Sequence, residues 1–198
     1  MNRVGWIILG IIVVVVGLFV SMTDFGVAGG GRVAPRFDPV ASVVERVQPT
    51  VRALTVPVAG VPRDAIGDSW GDAREGGARA HHGTDIMAPA GTPVVAAAAG
   101  TVEKLFQSER GGTTVYVRSP ARRWTYYYAH LAGYAAGLHE GQAVKRGTLL
   151  GYVGDTGDAG AGNYHLHFGL TRTDPGERWW QGQDINPYPL LAGKGAGR

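Results

Sequence analysis

The chain carries six histidines and no cysteine, so any metal it binds must be held by His, Asp or Glu. The densest group of such residues is His81-His82-Gly83-Thr84-Asp85. Glycines before it and Pro89 and Gly91 after it argue against a helix, so His81 and Asp85 are not neighbours on a helical face. On a straight strand, positions four apart lie about 13 Å from one another, too far to share one ion. A bend at Gly83 would bring them together; a His and an Asp in a surface loop is the alternative. The second group, His165-Leu166-His167, sits in an alternating run with Phe168. Period two sends both imidazoles to one face, with Cα atoms about 6.5 to 7 Å apart, and Leu166 and Phe168 to the other; a pair of surface histidines on an edge strand is the alternative. The third candidate, His130, ends the aromatic run Tyr126-Tyr127-Tyr128-Ala129. A lone histidine there is ordinarily structural, and the aromatic strand itself, with Trp124, is more often core than groove wall.

Positioning these residues falls to short segments rich in Val, Thr and Tyr between glycine and proline punctuation: 51–58, 92–97, 101–106, 113–118, 124–130, 148–153 and 164–171. The pattern predicts an all-β or β-dominated domain. It also explains the 32 glycines among 198 residues as turn positions. With 44% hydrophobic residues the chain can bury a core, and with 18% charged residues it is not compositionally disordered. The net charge of +3 is small and spread out. Arg118, Arg122 and Arg123, and the pair Lys145 and Arg146, read as solvated loop charges rather than a nucleic-acid stripe, so no nucleic-acid partner is expected.

Val4 to Val20 is an uninterrupted run of 17 apolar or glycine residues, extending to Met22. At about 1.5 Å per residue it is long enough, with snorkelling ends, to cross a hydrocarbon core of about 30 Å. It exceeds the apolar region of a cleavable signal, about 7 to 15 residues, and reads as an uncleaved signal anchor over residues 1–22. The short leading tail favours the amino terminus inside and the rest of the chain outside. Residues 23–37 read as a flexible tether and 38–54 as a short helical lead-in, because Val40, Val43, Val44 and Val47 fall at i, i+3, i+4 and i+7. Residues 55–191 form the domain and 192–198 a tail.

Taken together, HHGTD at 81–85, YAHL at 128–131 and HLHF at 165–168 resemble the lysostaphin/LytM-type zinc metallopeptidases of bacterial cell walls. APAGTPVVAAAAGTV at 88–102, EGQAVKRGTLLGYVGDTG at 140–157 and INPYPLL at 185–191 extend the likeness. The resemblance implies an antiparallel sheet with long loops around a groove, and one zinc ion per chain held by His81, Asp85 and His167. It makes His130 and His165 the catalytic pair and peptidoglycan peptides the substrate, met on the outer side of the inner membrane. His82 reads as loop filler, His139 as exposed, and Asp155 and Asp158 as turn residues. Two departures stand out. Gly169 replaces a glutamate that follows HLHF in many members, and residues 60–80 align poorly, which leaves the groove wall open. Two other functions fit the resemblance less well: a catalytically silent wall-binding regulator, and a hydrolase of some other extracytoplasmic peptide.

Overall fold

A computed structural model describes residues 54–193. The expected anchor at 1–22, the tether, all but the last residue of the helical lead-in, and residues 194–198 of the tail lie outside the described residues. Among the described residues no helix is long and apolar enough to cross a membrane.

Among the described residues eleven strands carry most of the regular structure: β1 Ala73–Arg74, β2 Arg79–Ala80, β3 Thr84–Met87, β4 Pro93–Val95, β5 Gly100–Ser108, β6 Gly112–Arg118, β7 Trp124–Tyr134, β8 Ala143–Val144, β9 Leu149–Val153, β10 His165–Arg172 and β11 Gln183–Asp184. Strands β1 and β2 form a separate hairpin. The other nine make one sheet along β11-β10-β7-β6-β5-β8, with β3 on β10 and β9 joining β7 to β4; every pair is antiparallel. A single helical turn, α1 Tyr188–Leu191, closes the domain behind Pro187. The β-dominated expectation therefore describes the domain.

Alternation decides what is buried. Leu166, Phe168 and Leu170 of β10 face the core with Tyr126 and Tyr128 of β7, and the rings of Phe168 and Tyr128 meet edge to face at 5.3 Å. Each such apolar side chain removed from water contributes about 1.5 to 3 kcal/mol. The Tyr128 hydroxyl, fully buried, accepts the Ala97 N–H at 2.9 Å, which removes the penalty of an unpaired polar group.

Two expectations change. Residues 54–59 lie beside β4 without completing a strand: Thr55 N–H donates to the Ala97 carbonyl, Val95 N–H to Pro57 and Ala59 N–H to Pro93, while Pro57 has no N–H to offer the ladder. Arg118 is not a solvated loop charge: it is wholly buried, with its guanidinium donating to Glu103, to Thr173 Oγ1 at 2.6 Å and to the Glu177 carbonyl at 3.1 Å. An unpaired buried charge would be prohibitive, and these partners make it a clamp on the β10–β11 loop.

Candidate metal centre and catalytic pocket

The β3–β10 register sets Asp85 directly opposite His167. His81, just ahead of β3, reaches the same point over the bend at Gly83. Its Nε2 lies 2.8 Å from His167 Nδ1 and 3.0 Å from Asp85 Oδ1, and His167 Nδ1 lies 3.1 Å from that same oxygen. Three donor atoms thus converge from segments 82 or more residues apart for His167. Gly83 has a second task besides bending. A Cβ there would stand 2.5 Å from His167 Cε1 and 2.9 Å from the Phe168 carbonyl, so only glycine lets His167 lie against the chain.

This donor set fits a zinc ion. Zinc takes His nitrogen and carboxylate oxygen at about 2.0 to 2.2 Å, and three such atoms around one ion lie close to one another. His81 Nδ1 donates to the Ser69 carbonyl at 2.6 Å, which leaves its Nε2 lone pair turned to the cluster. Arg74 of the β1–β2 hairpin holds the other carboxylate oxygen, Asp85 Oδ2, so that Oδ1 remains for the ion. Burial would raise the Asp85 pKa, but its contacts with His167 and His81 outweigh this and hold it well below the usual carboxylate range. Burial lowers that of His167, against the pull of Asp85.

His130 and His165 flank the cluster, ring centroids 4.8 Å apart. Each donates Nδ1–H to a backbone carbonyl of the loop between β9 and β10, His130 to Thr156 and His165 to Asn163, both at 2.8 Å. Both Nε2 atoms are left as acceptors. Burial, reinforced by the neighbouring histidines, lowers the His130 pKa to about 4, so this imidazole is neutral around pH 7. Strict alternation would have placed His130 with Tyr128 on the core face. A β-bulge prevents it: Ala129 and His130 together oppose Thr114, and His130 takes φ +61. The bulge turns His130 into the pocket and Leu131 into the core.

The pocket around these five residues is also lined by Arg74, Glu75, Arg79, Arg110, Tyr127 and Asp158. Of the aromatic run, Tyr126 and Tyr128 belong to the core, as expected of the strand, but Tyr127 faces the site, its ring 5.7 Å from that of His167. Gly169 stands opposite Tyr127, and a Cβ on it would crowd the ring at 3.2 Å. Asp158 is more than a turn residue; it pairs with Arg79 at 3.4 Å. Nor is His82 filler: it stacks on Trp70 at 5.5 Å and pairs with Asp184 at 3.1 Å. His139 is exposed, and Asp155 accepts the Gly162 N–H within its loop. The arginines escaped the sequence reading, although Gly76-Gly77 between two short polar segments is a hairpin signal.

With this geometry in view, comparison with known proteins decides the family. A family model described as Peptidase family M23 matches residues 79–187, more than half of the chain. The chain belongs to peptidase family M23. Members of M23 are zinc metallopeptidases, and among the described residues His81, Asp85 and His167 form the group able to hold a metal. An L-Ala–D-Glu endopeptidase of Bacillus subtilis is 40% identical over 129 residues, which are 62% of this chain and 38% of that protein. A peptidoglycan DD-endopeptidase of Vibrio cholerae is 37% identical over 90 residues, 46% of this chain and 20% of that protein. The chain therefore spans well under half the length of these relatives. The catalytic domain of lysostaphin from Staphylococcus simulans superposes with a TM-score of 0.52 at 28% identity, over 64% of this chain and 90% of that domain. The fold is thus lysostaphin-like.

Proposed function

We propose that this M23 peptidase is a zinc-dependent endopeptidase that hydrolyses peptide bonds in peptidoglycan stems or cross-links, with His81, Asp85 and His167 holding the metal. The observation that carries the reading is the meeting of His81 Nε2, Asp85 Oδ1 and His167 Nδ1 within 3.1 Å of one another, beside two histidines whose Nδ1 atoms are already tied. Three protein ligands leave a fourth position open, as catalytic rather than structural sites do. Bound there, zinc supplies the Lewis acidity that activates water and polarises the scissile carbonyl.

The protein's own groups handle the proton. His165 Nε2, two residues from ligand His167 on one strand face, accepts it from the attacking water. That same proton is what the leaving amine needs: His165, now an imidazolium, returns it to the amine nitrogen as the C–N bond breaks, while His130, kept neutral by its depressed pKa, accepts at Nε2 to orient the attacking water. Anchoring by residues 4–20 would hold the domain at the outer side of the inner membrane, next to this substrate.

The test is digestion of purified sacculi with mass spectrometry of the products. Soluble fragments should appear, chelator should stop them and added zinc should restore them. His165→Ala should keep near-stoichiometric zinc while activity falls by about two to four orders of magnitude. Loss of zinc from that variant would make His165 a ligand instead. No release by the zinc-loaded wild type would favour the silent regulator. The relatives' names point to two bonds, L-Ala–D-Glu and a DD linkage, and the spectrum distinguishes them.

A further inference from the structure

The pocket holds more positive charge than the metal chemistry uses. Arg79, on β2, and Arg110, in the turn between β5 and β6, approach from different segments and share one partner, Glu75. Glu75 Oε1 lies 3.3 Å from Arg79 Nη2 and 3.7 Å from Arg110 Nε, long contacts for charge-assisted bonds. Glu75 is held there at a cost: its φ is +51, at the tip of the β1–β2 hairpin, where only the following glycines are at ease. Arg79 is under-satisfied as well. Its Nε is buried without a hydrogen-bond partner, and its remaining contact, to Asp158, is 3.4 Å. Arg110 is largely exposed. A planar guanidinium with a free N–H edge matches a carboxylate through two parallel bonds, a geometry that neither Glu75 nor Asp158 completes.

We propose that Arg79 and Arg110 form a carboxylate subsite of the catalytic pocket, in which a free carboxylate on the peptide substrate takes the place that Glu75 occupies without substrate. The inference rests on the peptidase reading above and specifies it: the preferred substrate is an acidic peptide stem, with the anionic group beside the scissile bond. Glu75 then acts as an internal competitor, and the strain at its backbone is released when the hairpin tip lets go. Arg74 is not part of this subsite, because Asp85 engages it.

The test uses the full-length protein carrying His165→Ala, loaded with zinc, so that peptides bind without being cut. Two probes are titrated: L-Ala–γ-D-Glu–diaminopimelate with its D-Glu α-carboxyl free, and the same peptide with that carboxyl amidated. The acid should bind about tenfold or more tightly than the amide. Adding Arg79→Gln and Arg110→Gln together should bring the two affinities within about twofold of each other, with Arg110→Lys retaining part of the difference. Adding Glu75→Gln alone should instead tighten binding of the acid several-fold, which a merely structural role for Glu75 would not do. Equal binding of the two peptides, a preference that survives the double arginine change, or no binding of either would overturn the proposal. Sacculus digestion by the unmodified enzyme is read separately, so the subsite can fail while the hydrolase reading stands.

Discussion

His130, like Glu75, lines the pocket from a strained backbone. A non-glycine at φ +61 stores about 1 to 3 kcal/mol, and the bulge that imposes it is what aims the imidazole. Asn tolerates the left-handed region and a β-branched side chain does not. His130→Val should therefore unfold at lower denaturant than His130→Asn, by about 1 to 2 kcal/mol, with both inactive; equal stabilities would remove the strain argument. The buried imidazole also sets a pH dependence. Its folded pKa of about 4 lies below the ordinary 6.5, so between those values the unfolded chain binds a proton that the native state refuses. Stability is unaffected above about pH 6.5 and falls as the pH drops towards 4, by about 3 kcal/mol at most from this residue. Denaturant titrations of metal-free protein at pH 7 and pH 4.5 should show a smaller drop in His130→Asn than in wild type.

Two elements hold the chemistry in place. The loop between β9 and β10 receives both imidazoles proposed for the proton transfer, and Thr156 fastens it by accepting from Thr113 N at 3.0 Å and donating to the Leu131 carbonyl at 2.9 Å. Gly157 sits at φ +74, and a Cβ on it would stand 2.2 Å from the Arg110 carbonyl oxygen and 2.3 Å from Gly112 N, so a methyl there meets backbone. Gly157→Ala should move Thr156 and lower kcat about tenfold or more while zinc content holds, because the proposed ligands lie on other segments. Metal loss by that variant would refute this division of labour. The β1–β2 hairpin acts on the metal instead. Arg74→Ala frees Asp85 Oδ2, and the affinity for zinc should weaken about 10- to 100-fold in competition with a chromophoric chelator.

At the scale of the molecule, residues 54–193 enclose their own core and pocket, so cleavage should not require the apolar segment. Protein lacking residues 1–53 should cut soluble muropeptides at a rate comparable to the full chain. It should also move from the membrane pellet to the soluble fraction; full-length chain extracted by alkaline carbonate would count against a spanning anchor. The sequence conveyed the β-dominated class through glycine punctuation and alternation, and the order of three His motifs singled out five residues whose side chains the fold brings to one pocket. It missed the hairpin at 73–80 because two-residue strands carry no readable period. It misjudged Arg118 because burial of a charge depends on partners 15 and 55 residues away, Glu103 and Thr173.

What the sequence determined by itself was which groups are available, and which of them share a face: His165 with His167 follows from the pleat alone. Only the tertiary structure decided that His130 joins them, since a bulge reverses the face that alternation assigns. Only the tertiary structure, too, set Arg74 on Asp85 and placed Arg79 and Arg110 around a strained Glu75. Long-range register and ion pairing between distant segments are absent from any local pattern, and in this protein they build the wall of the pocket.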